Sequence, residues 1–297
     1  VLKSRQLKRY GLDASGTLRV VDRGLDALEG RRRADGSFPP GGGRTALGQT
    51  GLALLPFLAD GESSRTGERP SRVVAHGIAW LRAQLFDADA TMRAEAPVPE
   101  LGMALRALSE DYMLSYGHLA PGEAARRATE LDALAHVLGQ AQREDGSFPG
   151  SDTDVRAAVW PMWGLQAAVH TGAIDVPEEV PLRFRAWYAD ADREQPTVAA
   201  AGLLLYRELG AAFLPEARRQ ATRLLAAADA SEADPFLALT AGTGLLLHDG
   251  ESFRTWNEEL GERLLDALDA RGMVRRGDEV GDTALHLLAL QAAYRSY

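Results

Sequence analysis

Side chains able to do chemistry are sparse in this 297-residue chain, and with no cysteine there is no thiol nucleophile, disulfide, zinc–thiolate site or iron–sulfur cluster. Carboxylates and imidazoles remain. Ser151-Asp152-Thr153-Asp154 sets two carboxylates one residue apart, ahead of Arg156. Asp152 and Asp154 are the candidate catalytic residues; against that stands a pair of helix caps salt-bridged to Arg156, because Asp near a helix start is by default a cap. Glu100, Asp152 and Asp234 could supply the two carboxylates that glycoside hydrolysis requires. Asp282 and His286 lie at i, i+4 on one helical face, a two-ligand metal spacing. A third ligand is missing, so His286 reads as a core residue, and neither a metal nor a cofactor is expected.

Met103, Tyr112, Trp160, Met162 and Trp163 could line an apolar, aromatic cavity, or could simply be core. Anions are favoured where helices begin, which makes Arg44, Thr45, Glu100, Asp152, Asp154, Arg156, Thr197, Asp234 and Asp282 candidate residues of a cavity mouth. The expected cavity-lining set is Arg44, Glu100, Met103, Arg156, Trp160, Trp163, Asp282 and His286.

Such residues need elements to hold them, and the apolar period is helical throughout, with no period-two strand. The expected helices span 17–33, 44–59, 70–86, 98–116, 121–143, 154–171, 178–192, 197–209, 215–229, 234–248, 251–271 and 280–296. Odd-numbered segments are amphipathic, as in NEELGERLLDALDAR, and read as outer helices half in water. Even-numbered ones, such as TALGQTGLALLPFL and PFLALTAGTGLLL, are apolar nearly all round and must be surrounded by protein. Six outer–inner hairpins closed in a ring satisfy this alternation, with an open superhelix as the rival. Pro56 and Pro161 fall inside inner helices, where a missing N–H should kink them. A repeat supports the hairpin as the unit: Arg23-Gly24-Leu25 leads to Asp35-Gly36-Ser37-Phe38, His76-Gly77-Ile78 leads to Asp87, and Gln142 leads to Asp145-Gly146-Ser147-Phe148. No linker interrupts the pattern, so residues 17–297 read as one domain behind a basic lead-in, residues 1–16.

Composition narrows the partners. The net charge of -9 argues against a nucleic-acid binder acting through its whole surface, because cations meeting phosphates supply that affinity. No run approaches the ~18 apolar residues that cross a bilayer. Lys3, Arg5, Lys8 and Arg9 form a basic run after Val1, read as a solvated terminus, and membrane association is expected only through a segment preceding Val1.

The Gln142-x-x-Asp145-Gly146-Ser147-Phe148 run, its partner Arg32-Arg33-Ala34-Asp35-Gly36-Ser37-Phe38 and the small-residue inner helices after each resemble the repeats of squalene–hopene cyclases and protein prenyltransferase β subunits. The resemblance covers most of the chain as architecture and is sharp in those two runs. It implies an all-α fold, an (α/α)6 toroid of six outer–inner hairpins around a central cavity. In the cyclases an Asp-x-Asp-Asp motif protonates an alkene; here Asp152-Thr153-Asp154 is followed by Val155. The prenyltransferases bind zinc through Asp, Cys and His, and this chain has no Cys. The expectation is a toroid that binds an apolar or isoprenoid-like small molecule, or a protein partner, without either chemistry. An isoprenoid cyclase using Asp152 and Asp154, and a carbohydrate-active (α/α)6 enzyme, are the alternatives.

Overall fold

The computed structural model describes residues 2–10, 13–65, 71–87, 93, 95–151, 154–189, 195–208, 219, 223, 234–248, 250–268, 271–274 and 278–294. The chain is all-α: helix accounts for 75% and there are no strands among the described residues. The helices are α1 (Leu2–Arg9), α2 (Ala14–Glu29), α3 (Ala46–Ala59), α4 (Arg72–Arg82), α5 (Val98–Ser115), α6 (Pro121–Ala141), α7 (Arg156–His170), α8 (Glu179–Ala189), α9 (Pro196–Glu208), α10 (Pro235–His248), α11 (Gly250–Ala267) and α12 (Glu279–Gln291). The segment expected at 215–229 lies outside the described residues, save Arg219 and Arg223.

Local chemistry sets the boundaries. Asp13 caps α2 by accepting from the Ser15 and Gly16 amides, Thr45 caps α3 at Leu47, and Ser71 caps α4 at Val74. Pro99 and Pro121 sit in the first turns of α5 and α6, where a missing N–H removes only an orphan donor. The amphipathic reading holds for α2, which buries Val20, Val21, Leu25 and Leu28, whereas α3 buries every residue from Leu47 to Leu58. Pro56 and Pro161 are buried within α3 and α7, and both helices continue through them. The basic lead-in is not a loose terminus: α1 buries Leu7 and sets Lys3 Nζ 5.3 Å from the Tyr294 ring centroid.

The chain divides into two compact units, residues 31–190 and residues 1–30 with 191–297. Within residues 31–190, α3, α5 and α7 pack side by side, α4 lies against α3 and α5, and α6 lies against α5 and α7. Glycines allow the close approach. Gly48 faces Glu100 and Gly51 faces Met103 and Ala104, so α3 and α5 run parallel, and a Cβ at Gly102 would fall on the Trp160 carbonyl of α7. Within the other unit, α10 packs between α9 and α12, α11 lies on α10 and α12, and α2 lies on α12 with Gly24 under Leu287.

One turn recurs in both units. In Asp35-Gly36-Ser37-Phe38, Arg33 N–H donates to the Ser37 carbonyl, Asp35 accepts from the Ser37 amide at 2.9 Å, and Phe38 N–H donates to Thr50 at 2.9 Å. Residues 143–148 repeat the first two bonds, and Gln142 adds a bond from Nε2 to the Val180 carbonyl of α8 at 2.9 Å. Gly146 has φ +90°, which suits glycine, and a Cβ there would fall on the Arg183 carbonyl of α8. Gly36 seats against the His76 carbonyl of α4 in the same way. After α11, Gly272 (φ +83°) seats against the Arg23 carbonyl of α2, and Val274 N–H donates to Thr283 at 3.0 Å, as Phe38 does to Thr50. The Asp-Gly-Ser-Phe letters are gone at Arg271-Gly272-Met273-Val274, but the geometry is kept.

Candidate functional site

The expected mouth residues are committed to helix ends. Glu100 is buried, and its carboxylate accepts from the Thr45 amide at 2.9 Å, the Gly48 amide at 3.0 Å and the Thr45 hydroxyl. It fills the anion-attracting start of α3 from the first turn of α5. Arg44, just before that cap, closes the glycine turn 41–44 through its own amide, 2.9 Å from the Gly41 carbonyl. Asp152 lies outside the described residues. Asp154 accepts from the Arg156 amide at 2.9 Å, its carboxylate lies 3.5 Å from Arg156 Nε, and its side chain is 52% exposed. Its carboxylate thus serves the first amide of α7 and the Arg156 side chain, at a solvent-exposed position. Asp234 caps α10, accepting from the amides of Phe236 and Leu237.

On α12, Asp282 and His286 share a face without acting together through their side chains. The Asp282 carboxylate accepts from the Asp278 amide, while His286 Nδ1 lies 2.9 Å from the Asp282 backbone carbonyl. A carbonyl only accepts, so the proton sits on Nδ1 and the neutral ring keeps its lone pair on Nε2. Burial pushes the imidazole below its usual pKa, with the Asp282 carbonyl pulling weakly the other way. No group of three metal-ligating side chains occurs among the described residues.

Of the expected aromatic lining, Trp160 and Trp163 pack together on α7, and Trp163 meets Arg106 of α5, a partner the sequence reading missed. Met103, Trp160 and Trp163 are buried on α5 and α7, and the two indoles lie 5.4 Å apart. Arg106 of α5 stacks its guanidinium 4.2 Å from the Trp163 ring centroid and bonds Glu110 through Nε at 2.9 Å. Both side chains are largely buried, 6% and 12% exposed. At about 100° per residue, Arg106 lies roughly opposite Leu108 and Asp111, which meet side chains of α4 and α6. The Arg106–Glu110–Trp163 cluster therefore occupies the face of α5 turned from its outer helices. Tyr112 is buried nearer the end of α5, and burial raises its phenol pKa.

A second charged cluster lies on the other side of α5. Asp111, fully buried, accepts from the Ser64 amide at 2.6 Å, the Ser64 hydroxyl at 2.7 Å and Arg127 Nη1 at 2.8 Å. Arg127 Nη2 and Arg65 reach Glu123, and Arg82 pairs twice with Glu130 at 2.7 Å. Burial would raise the Glu123 carboxyl, but the bonds from Arg65 and Arg127 outweigh it and hold the pKa below the usual value. The available signal for both clusters was charge inside LGMALRALSEDYML, a segment otherwise read as an apolar inner helix.

No protein-family model matches the chain, and no curated protein or solved structure matches it.

Proposed function

We propose that this chain is an (α/α)6 toroid that binds an apolar or isoprenoid-like small molecule along the α5–α7 face and carries out neither cyclase nor zinc prenyltransferase chemistry. The ring is supported by neighbouring inner helices packed side by side, by outer helices set between them, and by the Gly272 turn seated on α2 as the Gly36 and Gly146 turns seat on α4 and α8. In this proposal residues 17–297 form one domain.

The observation that carries the binding reading is the buried Arg106–Glu110 pair stacked on Trp163, with Trp160 against that indole. A buried ion pair is weak support for stability and often neutral against apolar replacements, so its place on the face away from the outer helices fits a specificity role. Binding rather than turnover is favoured because Asp154 is exposed and paired to Arg156, Glu100 is used as a cap, and Val155 follows the carboxylates.

Native mass spectrometry of the protein as purified, followed by tryptophan-quenching titrations with squalene and with farnesyl and geranylgeranyl diphosphates, tests the reading. Saturable quenching that weakens at least tenfold in Arg106→Met is expected, with no cyclic product. Cyclic products that vanish in Asp152→Asn or Asp154→Asn would favour the cyclase.

A protein partner is the second reading. Met113, Leu114 and Tyr116 at the end of α5 and Val169 at the end of α7 are exposed large apolar side chains.

A further inference from the structure

We propose that the seam between α4, α5 and α6 is a built site for one internal water molecule, held by Arg127 Nε–H and the carboxylate of Glu130. The first observation is a donor without an acceptor. Arg127 is 7% exposed; its Nη1 donates to Asp111 and its Nη2 to Glu123, but its buried Nε–H meets no protein acceptor. Leaving such a donor dry costs on the order of 1–3 kcal/mol, more for a charged group.

The second observation is space in the right place. A cavity lined by Arg82, Asp111, Arg127 and Glu130, beside apolar side chains such as Leu108, leaves ≈ 10 Å³ in which the centre of a water molecule can move. That is about the room one water needs, and it is too little for a larger ligand.

The lining also selects a neutral occupant. An anion would meet the carboxylates of Asp111 and Glu130, and a cation would meet the guanidiniums of Arg82 and Arg127, each already paired with its opposite. Asp111 already accepts four hydrogen bonds, the fourth from the Ser115 hydroxyl, but among the described residues Glu130 accepts only from Arg82, so water can accept from Arg127 Nε–H and donate to Glu130. Two hydrogen bonds fall within the two to four that a buried water makes. The molecule then joins the Asp111–Arg127 and Arg82–Glu130 pairs into one network. Through Ser64 and Asp111 that network fastens the connection after α3 to α5.

The test uses the intact wild-type chain and two readouts. In a crystal structure fine enough to show ordered solvent, one density peak within hydrogen-bond distance of Arg127 Nε is expected. In solution, the Arg127 Hε resonance of protein labelled with ¹⁵N-arginine should show a cross-peak to water with the sign of a long-lived contact, and its assignment is confirmed by its loss in Arg127→Lys. Empty density beside a well-ordered Arg127 overturns the proposal, as does an Hε resonance with no contact to water. If Arg127→Lys does not fold, comparison with Arg82→Lys assigns the resonance instead.

Discussion

Helices α5 and α10 hold equivalent places in their units, each packed between two apolar neighbours, yet they solve burial differently. Helix α10 is PFLALTAGTGLLLH, and among its described side chains the buried polar ones are Thr240 and Thr243. Thr240 donates back to the Phe236 carbonyl of its own helix at 2.8 Å. Helix α5 buries Glu100, Arg106 and Asp111, each with charged or backbone partners on other turns or other elements. An inner helix of this architecture therefore needs no charge. Those of α5 answer a local demand: Glu100 caps a helix, Asp111 fastens a connection, and the Arg106–Glu110 pair presents polarity beside Trp163.

A wide gap between the two helices should appear in Asp111→Asn. The change leaves the buried Arg127 guanidinium with Glu123 as its remaining counter-charge and weakens the bonds at Asp111, and a loss of about 2–3 kcal/mol in urea unfolding is expected. A loss below about 1 kcal/mol would make α5 no more dependent on charge than α10 and break the contrast. Arg106→Leu should cost about 3 kcal/mol, and Arg106→Leu with Glu110→Leu should recover most of it, because the lone buried carboxylate is the main penalty. Equal losses in the single and double variants would place the role of Arg106 in its contact with Trp163.

Close packing gives a smaller contrast. A Cβ at Gly102 would fall on the Trp160 backbone, whereas one at Gly244 would come within 3.2 Å of Leu203 and Leu204 atoms. Gly102→Ala is expected to cost about 2–3 kcal/mol and Gly244→Ala about 1 kcal/mol by the same measurement. Thr240→Val, which removes only a bond within α10, should cost less than about 1 kcal/mol.

Acid should act on both units, in sequence. His286 has a folded pKa below its reference of 6.5, so the unfolded chain takes up the proton first. Its stabilising share is whole above that reference and falls as pH drops toward the lowered folded value. Glu123 is also lowered, from a reference of 4.5, so its share persists above that pH and is lost on further acidification through the folded value. Hydrogen exchange followed from pH 7 downward should loosen amides of α12 before those of α6. The reverse order would point to another group as the first to titrate.

Helix period was legible because it is written in local spacing, and α2 to α7 begin within three residues of the expected positions. Helix α1 was missed because LKSRQLKR offers only charge and a single firmly buried anchor, Leu7. The pairing of Asp154 with Arg156 and the capping by Asp234 were legible for the same local reason. The partners of Arg106 and Asp111 were not, since i, i+4 spacing finds Glu110, while Trp163, Ser64 and Arg127 come together only through helix packing. The third seated turn was hidden because its function rests on a backbone shape at Gly272 and a hydroxyl at Thr283, and neither needs Asp, Ser or Phe.

Assembling residues 1–30 with residues 191–297 has a consequence during synthesis. On the ribosome Leu287, which covers Gly24 of α2, follows it roughly 260 residues later. At about 5–20 residues per second that is a wait of tens of seconds, during which Val20, Val21, Leu25 and Leu28 lack their final cover from α12. Residues 31–190 are complete in the meantime, so the nascent protein holds one finished unit and an amphipathic helix still awaiting its cover, the state in which a holding chaperone would engage it.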